Sequence, residues 1–256
     1  MLSTAETTAP RVPFHPVRHG SLPEVEAHRE AARAIGATLD LLRGHLAPQR
    51  RILHAGDAIY QSGEAFQLLH VVNAGFLKVV NLSADGREQV AGLKFRGDWL
   101  GFDGIAEGKY TCDAIAMDTS EVWSFRYDAL LAACAKEPRL LKVLHEEMSR
   151  QIARDRETLM ALCTLPADAR VAGFLRFWVD QLARRGLRTD EITLRMTRAE
   201  IGNYLGMTLE TVSRALSRLA REQVIGFAGN GRRHILVRDP RALAGAAQLA
   251  PAAMLQ

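Results

Sequence analysis

Hydrophobic residues recur at intervals of three and four positions in three parts of the chain, the spacing that places side chains on one face of an α-helix. The first part covers residues 22–46 and ends in the apolar set Ile35, Leu39, Leu42 and Leu46. The other two cover residues 138–164 and 166–185. The apolar face of the last is formed by Val171, Phe174, Leu175, Trp178 and Leu182. The sequence therefore predicts three amphipathic helices.

Between residues 50 and 126 the pattern changes to short alternating runs that are interrupted by glycine. Residues 76–82 and 89–95 are rich in β-branched and aromatic side chains, and they flank Asp85 and Gly86, a pair typical of a hairpin turn. Glycine recurs every eleven residues, at Gly75, Gly86, Gly97 and Gly108. Because glycine adopts positive φ without steric cost, this rhythm suits the turns of short antiparallel strands. It predicts a jelly-roll-like β domain.

The predicted helix over residues 138–164 opens at Pro138, which suits a first turn because its missing N–H would have no intrahelical partner there. A single stripe runs along this helix: Leu141, Leu144, Met148, Ile152, Asp155, Leu159 and Leu162. The stripe could pack on the chain's own β domain or on a second copy of the helix. Its length favours a partly coiled-coil homodimer.

Asp155 is the one charged residue in this stripe. At a two-fold seam it would face its symmetry mate, and two neighbouring carboxylates repel each other. Asp155 could therefore weaken the dimer. It could also be solvated where the helices splay, or paired with Arg154 or Arg156 of the partner subunit.

Residues 197–226 have the pattern of two short helices joined by a tight turn. Thr197 suits an N-cap, and Glu200 three residues later completes a capping box. Gly206 ends the first helix, and Thr208 caps the second. One face of the second helix forms an apolar ridge, which comprises Leu209, Val212, Leu216 and Leu219. This arrangement is typical of a helix-turn-helix.

The opposite face of the second helix carries polar side chains that suit the major groove of DNA. Glu210, Ser213 and Arg214 lie near its N-terminus, where recognition helices contact bases. Arginine bridges O6 and N7 of guanine, glutamate accepts from N4 of cytosine, and serine bonds to several base edges. The following pair of predicted strands is typical of a wing that meets phosphates. The predicted backbone contacts are Thr197, Arg198, Thr208, Ser217, Arg221, Arg232 and Arg233.

Charge is distributed unevenly along the 256 residues, whose net charge is +4. Residues 165–256 contain 14 arginines, no lysine and 8 acidic residues, which gives them a balance of +6 and favours a polyanionic partner. The three cysteines are too few for a secreted disulfide framework, and we interpret Cys163 as a buried core residue, with a response to oxidants as the alternative. No apolar run is long enough to span a membrane, and the N-terminus lacks a secretory signal, so we expect a cytoplasmic location.

Chemistry-bearing motifs are few. The chain has no glycine-rich phosphate loop, no nucleophile elbow and no set of histidine, cysteine and aspartate residues at metal-ligand spacing. An enzyme is therefore not expected, and neither is a metal site.

Two long motifs carry a resemblance to a known family. RAEIGNYLGMTLETVSRALSRL (residues 198–219) and GDWLGFDGIA (residues 97–106) resemble the Fnr branch of the Crp/Fnr transcription regulators, and the resemblance extends over about residues 38–245. It implies a homodimer with a β-roll sensor domain, a long dimer helix and a C-terminal winged helix. It also implies that Glu210, Ser213 and Arg214 recognise TTGAT-type half-sites and that the bound protein contacts RNA polymerase. Two-fold symmetry then implies an inverted repeat with its halves about one helical turn apart.

The effector ligands of the best-known branches are missing. The Fnr iron–sulfur cluster needs about four thiolates. This chain has no cysteine before Cys112, and Trp123 stands where the β-roll ligand of the cluster is expected, so we expect no such cluster. Phe102 and Tyr110 replace the ribose-binding acid and the phosphate-binding arginine of the cyclic-AMP branch. We expect no cofactor and an effector-free regulator. Haem stays open as an alternative, with candidate ligands His15, His19, His28, His45, His54 and His70.

The predicted fold class is α+β. Its parts are a mobile arm (1–20), a jelly-roll-like β-roll with the cyclic-nucleotide-binding-domain fold (21–136), a dimerisation helix (137–164), a winged helix-turn-helix DNA-binding domain (165–245) and a C-terminal tail (246–256). The predicted function is a homodimeric transcription activator that binds double-stranded DNA at a TTGAT-N4-ATCAA-like site and contacts RNA polymerase, with no membrane partner. The alternative is a signalling module whose sensor domain binds haem or another small molecule and whose winged helix contacts proteins.

Overall fold

The computed structural model describes residues 22–83, 85–228 and 233–248. The predicted arm, the turn residue Arg232, and His15 and His19 lie outside these residues. The first described element is helix α1 (Leu22–His45), whose C-terminal half buries Leu39 and Leu42 against the β domain. The predicted first helix is confirmed.

Eight strands follow α1 and form two antiparallel sheets. The strands are β1 (Gln49–Leu53), β2 (Ala58–Tyr60), β3 (Leu68–Ala74), β4 (Phe76–Leu82), β5 (Glu88–Phe95), β6 (Trp99–Leu100), β7 (Asp113–Ala116) and β8 (Ser120–Arg126). One sheet has the order β1-β8-β3-β6 and the other β2-β7-β4-β5. Short helix α2 (Gly104–Glu107) lies between β6 and β7, and helix α3 (Tyr127–Lys136) follows β8.

The predicted turns of this β domain are confirmed. β4 and β5 pair from Phe76 with Phe95 to Leu82 with Glu88, which is the hairpin that Asp85 and Gly86 predict. All four glycines of the eleven-residue rhythm have positive φ: Gly75 at 91°, Gly86 at 80°, Gly97 at 88° and Gly108 at 66°. The jelly-roll-like sandwich therefore follows from local turn chemistry as well as from strand alternation.

Helix α4 (Pro138–Thr164) begins where Pro138 predicts, with Glu137 as the N-cap residue that accepts from the N–H of Arg139 at 3.1 Å. Its inner face buries Leu140 and Leu144 in the core shared with α1 and the first sheet. The assignment of Leu144 to the dimer interface is therefore wrong. An amphipathic helix on a domain surface must first cover that domain's apolar face, and Leu144 serves this contact.

On the outer face of α4, a set of residues that does not include Leu144 recurs at regular intervals. We call this set the seam face: Leu141, His145, Met148, Ile152, Asp155, Leu159 and Leu162, at alternating spacings of four and three. Ile152 is 50% exposed and Leu159 is 62% exposed, which is unusual for aliphatic side chains on a long helix. His145 takes the position that the sequence interpretation gave to Leu144.

The C-terminal part contains the remaining elements: α5 (Ala167–Ala183), β9 (Glu191–Thr193), α6 (Arg198–Leu205), α7 (Leu209–Arg221), β10 (Ile225–Ala228), β11 (His234–Val237) and α8 (Pro240–Gln248). β11 lies between β10 and β9 in a small antiparallel sheet. Helix α8 continues past residue 245, where the sequence interpretation started a tail. Trp178, Val212 and Ile235 are fully buried at the centre of this part.

Candidate nucleic-acid interface

The two helices of the predicted helix-turn-helix are fixed at their ends by the side chains that the sequence indicates. The Thr197 hydroxyl accepts from the N–H of Glu200 at 3.1 Å, and the Glu200 carboxylate accepts from the N–H of Thr197 at 2.7 Å. This reciprocal capping box satisfies two N–H groups that a helix start otherwise leaves unpaired. Thr208 caps α7 by accepting from the N–H of Thr211 at 3.3 Å.

The turn between α6 and α7 depends on two glycines. Gly206 has a φ of 61°, a left-handed conformation in which glycine carries no steric penalty. Gly202, one turn earlier, allows α7 to approach, because a Cβ there would lie 2.5 Å from the carbonyl oxygen of Met207. The crossing of the two helices is therefore set by close backbone contact.

We expect Gly202→Ala to destabilise the C-terminal part of the chain. The obstacle at Met207 is backbone, so relief requires the helices to separate, and forced overpacking costs about 1–3 kcal/mol. Thermal unfolding followed by circular dichroism should show a midpoint lower by several degrees. Gly173→Ala on α5 is the matched control, because a Cβ at Gly173 meets nothing within 4 Å and its midpoint should not fall. Equal midpoints for the two variants would contradict this account of the turn.

The face of α7 that we call the reading face comprises Glu210, Ser213 and Arg214, and the structure leaves it open. Glu210 and Arg214 are exposed, and Ser213 is half-buried. Hydrogen bonds from its own backbone N–H and from Thr208 hold the pKa of Glu210 below its usual range. At neutral pH Glu210 is therefore an ionised acceptor, as contact with a cytosine amine requires.

The ridge behind the reading face is buried with one exception. Val212, Leu216 and Leu219 are at most 3% exposed, whereas Leu209 is 47% exposed. The inclusion of Leu209 in the buried ridge is wrong. Leu209 is the first residue of α7 and lies a turn ahead of the residues that pack against α5 and α6, so it extends beyond the core.

Arg214 is oriented by a neighbour on its own helix. Its Nη2 donates to the Thr211 hydroxyl at 3.3 Å, and that hydroxyl lies 3.2 Å from the hydroxyl of Thr208. Another arginine, Arg218, is bonded to Asp168 at the start of α5. Arg214 is thus partly preordered while its guanidinium stays exposed.

The predicted phosphate contacts differ in exposure. Arg221, Arg233, Thr197 and Thr208 are exposed, and Arg198 and Ser217 are half-buried. Arg232 lies outside the described residues. The surface of α6 and α7 therefore combines hydroxyls at two helix starts with several arginines, which is the chemistry that binds a phosphodiester backbone.

Two domain families match the chain. Residues 169–246 match the Crp-like helix-turn-helix domain, and residues 50–137 match the cyclic nucleotide-binding domain. The fumarate and nitrate reduction regulatory protein of Yersinia pestis is 31% identical over 196 residues, which cover 77% of this chain and 77% of that protein. The chain belongs to the Crp/Fnr family of transcription regulators. This confirms the resemblance drawn from residues 97–106 and 198–219, and it assigns a DNA-binding function to the helix-turn-helix.

Two further comparisons cover most of the same residues. Electron transport regulator A of Shewanella oneidensis is 32% identical over 205 residues, which cover 79% of this chain and 81% of that protein. The structure of FixK2 from Bradyrhizobium japonicum superimposes with a TM-score of 0.69 at 28% identity, over 80% of this chain and all of that one. The predicted α+β fold of this Crp/Fnr regulator is confirmed.

The sensor domain of the regulator borders a cavity of about 740 Å³ that reaches between the β-roll, α4 and the C-terminal domain. Asp103 lines this cavity, and one of its oxygens accepts from the N–H and hydroxyl of Thr111 at 2.8 and 3.0 Å. Phe102 stacks on Trp99 at 5.8 Å instead of entering the cavity. Trp123 is buried, and its indole N–H donates to Glu121 at 2.8 Å.

Tyr110, which replaces the phosphate-binding arginine, turns into the β-roll. Its ring stacks on Tyr60 with centroids 3.9 Å apart, and its hydroxyl donates to the carbonyl of Leu68 at 2.8 Å. His70 contacts the same hydroxyl through Nε2 at 3.2 Å and contacts Ser124 through Nδ1 at 2.8 Å. Burial lowers the pKa of His70 to about 3, so the imidazole is neutral. Sequence reasoning missed this buried polar network.

Three of the haem candidates that the structure describes are already engaged or open to solvent. Both nitrogens of His70 are engaged, His45 lies 3.8 Å from Glu137, and His54 is exposed. Within the described ranges no three histidine, cysteine or carboxylate side chains come together as metal ligands. Cys163 is exposed, so its interpretation as a core residue is wrong. Burial, together with Asp103, raises the pKa of the Cys112 thiol to about 12, which makes that thiol unreactive.

Among the residues with described structure, no helix combines the length and the apolar character that crossing a bilayer requires.

Proposed function

We propose that this Crp/Fnr regulator binds, as a homodimer, an inverted repeat of the form TTGAT-N4-ATCAA. The observation that carries the proposal is the reading face: Glu210 and Arg214 are exposed on α7 while Val212 and Leu216 directly behind them are buried. An exposed guanidinium and an ionised carboxylate at the N-terminus of a helix match guanine and cytosine edges in the major groove.

The seam face of α4 supports the dimer. Its alternating four- and three-residue spacing is the coiled-coil repeat, and Leu141, Ile152 and Leu159 are between 40% and 62% exposed in the single chain. Burial of such a stripe against a second copy would place the two α7 helices symmetrically. Of the two candidate partners for Asp155, Arg154 is already bonded to Asp98 at 3.2 Å in its own chain. Arg156 and a solvated position where the helices splay therefore stay as the alternatives to a repulsive contact between Asp155 and its symmetry mate.

The sensor domain supports an effector-free regulator. Tyr110, which the family resemblance places at the phosphate-binding arginine, stacks on Tyr60 and supplies no positive charge for a cyclic phosphate. Protein abundance then sets the activity. Once on its site the dimer contacts RNA polymerase and activates transcription, as the family resemblance implies.

The proposal is tested by titrating a labelled TTGAT-N4-ATCAA duplex and a scrambled duplex of equal length at several salt concentrations. The wild type should prefer the inverted repeat by about 1,000-fold or more, and its affinity should fall steeply as salt rises, because arginine–phosphate contacts release counterions. Equal affinity for both duplexes, or binding that salt does not change, would overturn the proposal in favour of a protein-contacting winged helix.

A further inference from the structure

The sensor domain touches the helix-turn-helix directly. The β4–β5 hairpin (residues 76–95), which we call the sensor hairpin, packs on helix α6, and its apolar residues Val80, Val90 and Phe95 belong to the same core cluster as Val212 and Trp178 of the C-terminal domain. The first helix of the DNA-binding motif is thus held by the sensor domain as well as by its own neighbours.

Asn203 on α6 makes the most specific contact with the sensor hairpin. Its side-chain oxygen accepts from the N–H of Val90 at 2.6 Å, and its side-chain nitrogen donates to the carbonyl of Glu88 at 2.7 Å. Gln89 completes the contact by donating to the backbone carbonyl of Asn203 at 2.6 Å. The asparagine amide therefore pairs with the backbone of β5 as a neighbouring strand would.

The position of β5 explains why this contact stabilises both partners. β5 is the edge strand of its sheet, next to β4 only, so its outward-facing backbone groups need other partners. Asn203 satisfies a donor and an acceptor of this edge at once. The two amide hydrogen bonds fix both the distance and the rotation of α6 relative to the sheet, because neither can shift along the strand without the loss of the other.

An ion pair adds a second point of attachment. Lys78 of β4 bonds to Glu200, the residue that closes the capping box of α6. Burial alone would raise the pKa of Glu200, but hydrogen bonds from Lys78 and Thr197 hold it below its usual range. The sensor hairpin is thus bonded at Glu200 and at Asn203, one turn apart on the same helix.

The aromatic part of the interface is farther from α6. Phe76 and Phe95 pack on Trp178 of α5, with ring centroids 6.0 and 5.3 Å apart. Arg195 lies over the ring of Phe76 at 4.0 Å and bonds to Asp118 of the sensor domain at 2.7 Å. These contacts resist separation of the domains, whereas the polar contacts at α6 define the angle between α6 and the sheet that contains β5.

We propose that Asn203, held by the sensor hairpin, is a positioning residue that sets which half-site spacing the dimer accepts. The proposal rests on the proposed function, namely binding to an inverted repeat. None of the contacts involves the reading face, where Glu210 and Arg214 stay exposed. Asn203 therefore acts on DNA recognition through the placement of α6 and α7, without contact to a base.

The physical basis is the geometry of a two-fold complex. Two recognition helices that are rigidly placed fit only half-sites at one separation along the duplex. If the hairpin contacts are removed, each DNA-binding domain can shift, and binding to a site with the wrong spacing then costs less free energy. Binding to the preferred spacing becomes weaker, because the domain must be ordered when it binds. Loss of two neutral hydrogen bonds in each subunit changes such an equilibrium by about one order of magnitude or more.

The experiment measures the affinity of the full-length protein for inverted repeats with spacers of two to six base pairs between TTGAT and ATCAA. The wild type should bind one spacer length about tenfold or more tightly than its neighbours. Asn203→Ala should reduce this preference by about tenfold and also weaken binding at the preferred spacer. The same variant should keep the wild-type preference for TTGAT over a half-site with a changed guanine.

A second variant lies wholly in the sensor domain. Lys78→Met combined with Gln89→Ala removes two of the hairpin contacts and substitutes no residue of the helix-turn-helix. A wild-type preference of this variant for TTGAT over a half-site with a changed guanine shows that its reading face is intact. Asp85→Ala is the control in the same hairpin, because the contacts of Asp85 with described residues stay within the turn, at Ser83 and Arg87.

The outcomes separate the two proposals. If the wild type shows no preference for the inverted repeat at any spacing, the proposed function fails. If the wild type does select one spacing, and both Asn203→Ala and the hairpin variant select it as strongly, the positioning role of Asn203 is overturned.

Discussion

Arg214→Ala is expected to lower the affinity for the TTGAT-N4-ATCAA duplex by about 100-fold or more. Arg214 is exposed on the reading face and is oriented by Thr211 at 3.3 Å, so it can bond to guanine with little loss of side-chain freedom. Each bidentate arginine–guanine contact discriminates by about 1–3 kcal/mol, and a two-fold complex contains two of them. Fluorescence anisotropy with the cognate duplex and a guanine-substituted duplex measures the change.

Specificity separates this effect from a simple loss of charge. Arg221→Ala removes the same charge from the same helix, at its exposed C-terminal end. As a phosphate contact, Arg221 should weaken binding to all duplexes about equally and reduce the salt dependence by about one counterion. Arg214→Ala should instead abolish the difference between the two duplexes. If Arg214→Ala still discriminates as the wild type does, Arg214 is not a base-contacting residue.

The parts of the fold that the sequence predicts well are those set by local chemistry. The capping box of Thr197 and Glu200, the left-handed Gly206 and the hairpin at Gly86 each depend on residues within a few positions of one another. Such signals are visible in a single sequence because the hydrogen bonds or dihedral angles that they describe form within one turn. The helix-turn-helix was predictable for this reason.

The faces of a long helix are harder to assign. Leu144 and His145 are adjacent in sequence, and an apolar stripe through either one fits helical spacing. Only the position of α1 and of the first sheet shows that Leu144 points inward and His145 outward. Leu209 shows the same limit at a helix end, because the exposure of a first-turn residue depends on how far its neighbours extend.

Contacts between distant segments leave no local pattern at all. Asn203 bonds to residues 88 and 90, which are more than a hundred positions away in sequence. The asparagine side chain resembles that of any polar residue on a helix surface until the edge of β5 is placed beside it. The buried network of His70 has a weak signal by comparison, because His70 stands within a run of apolar residues that predicts a buried strand.

Ile152→Glu is expected to raise the dissociation constant of the dimer by about 100-fold or more. Ile152 is at the centre of the seam face and is 50% exposed in the single chain, as expected for an apolar residue that a second subunit covers. A two-fold seam would bring the two new carboxylates together in an apolar layer, and an unpaired buried charge costs several kcal/mol. Sedimentation equilibrium should report the mass of one chain at concentrations where the wild type has the mass of two.

Two substitutions on the same helix determine whether the effect belongs to the seam face. Met160→Glu makes the same kind of change at a residue that is 65% exposed but lies outside the seam register, so it should leave the dissociation constant unchanged. Asp155→Ala removes a carboxylate that a two-fold seam would bring next to its symmetry mate, so on that interpretation it should tighten the dimer. Because Ile152→Glu adds a pair of charges to the seam face and Asp155→Ala removes one, the two variants should shift the dissociation constant in opposite directions. A dissociation constant that none of the three variants alters would place the dimer interface elsewhere.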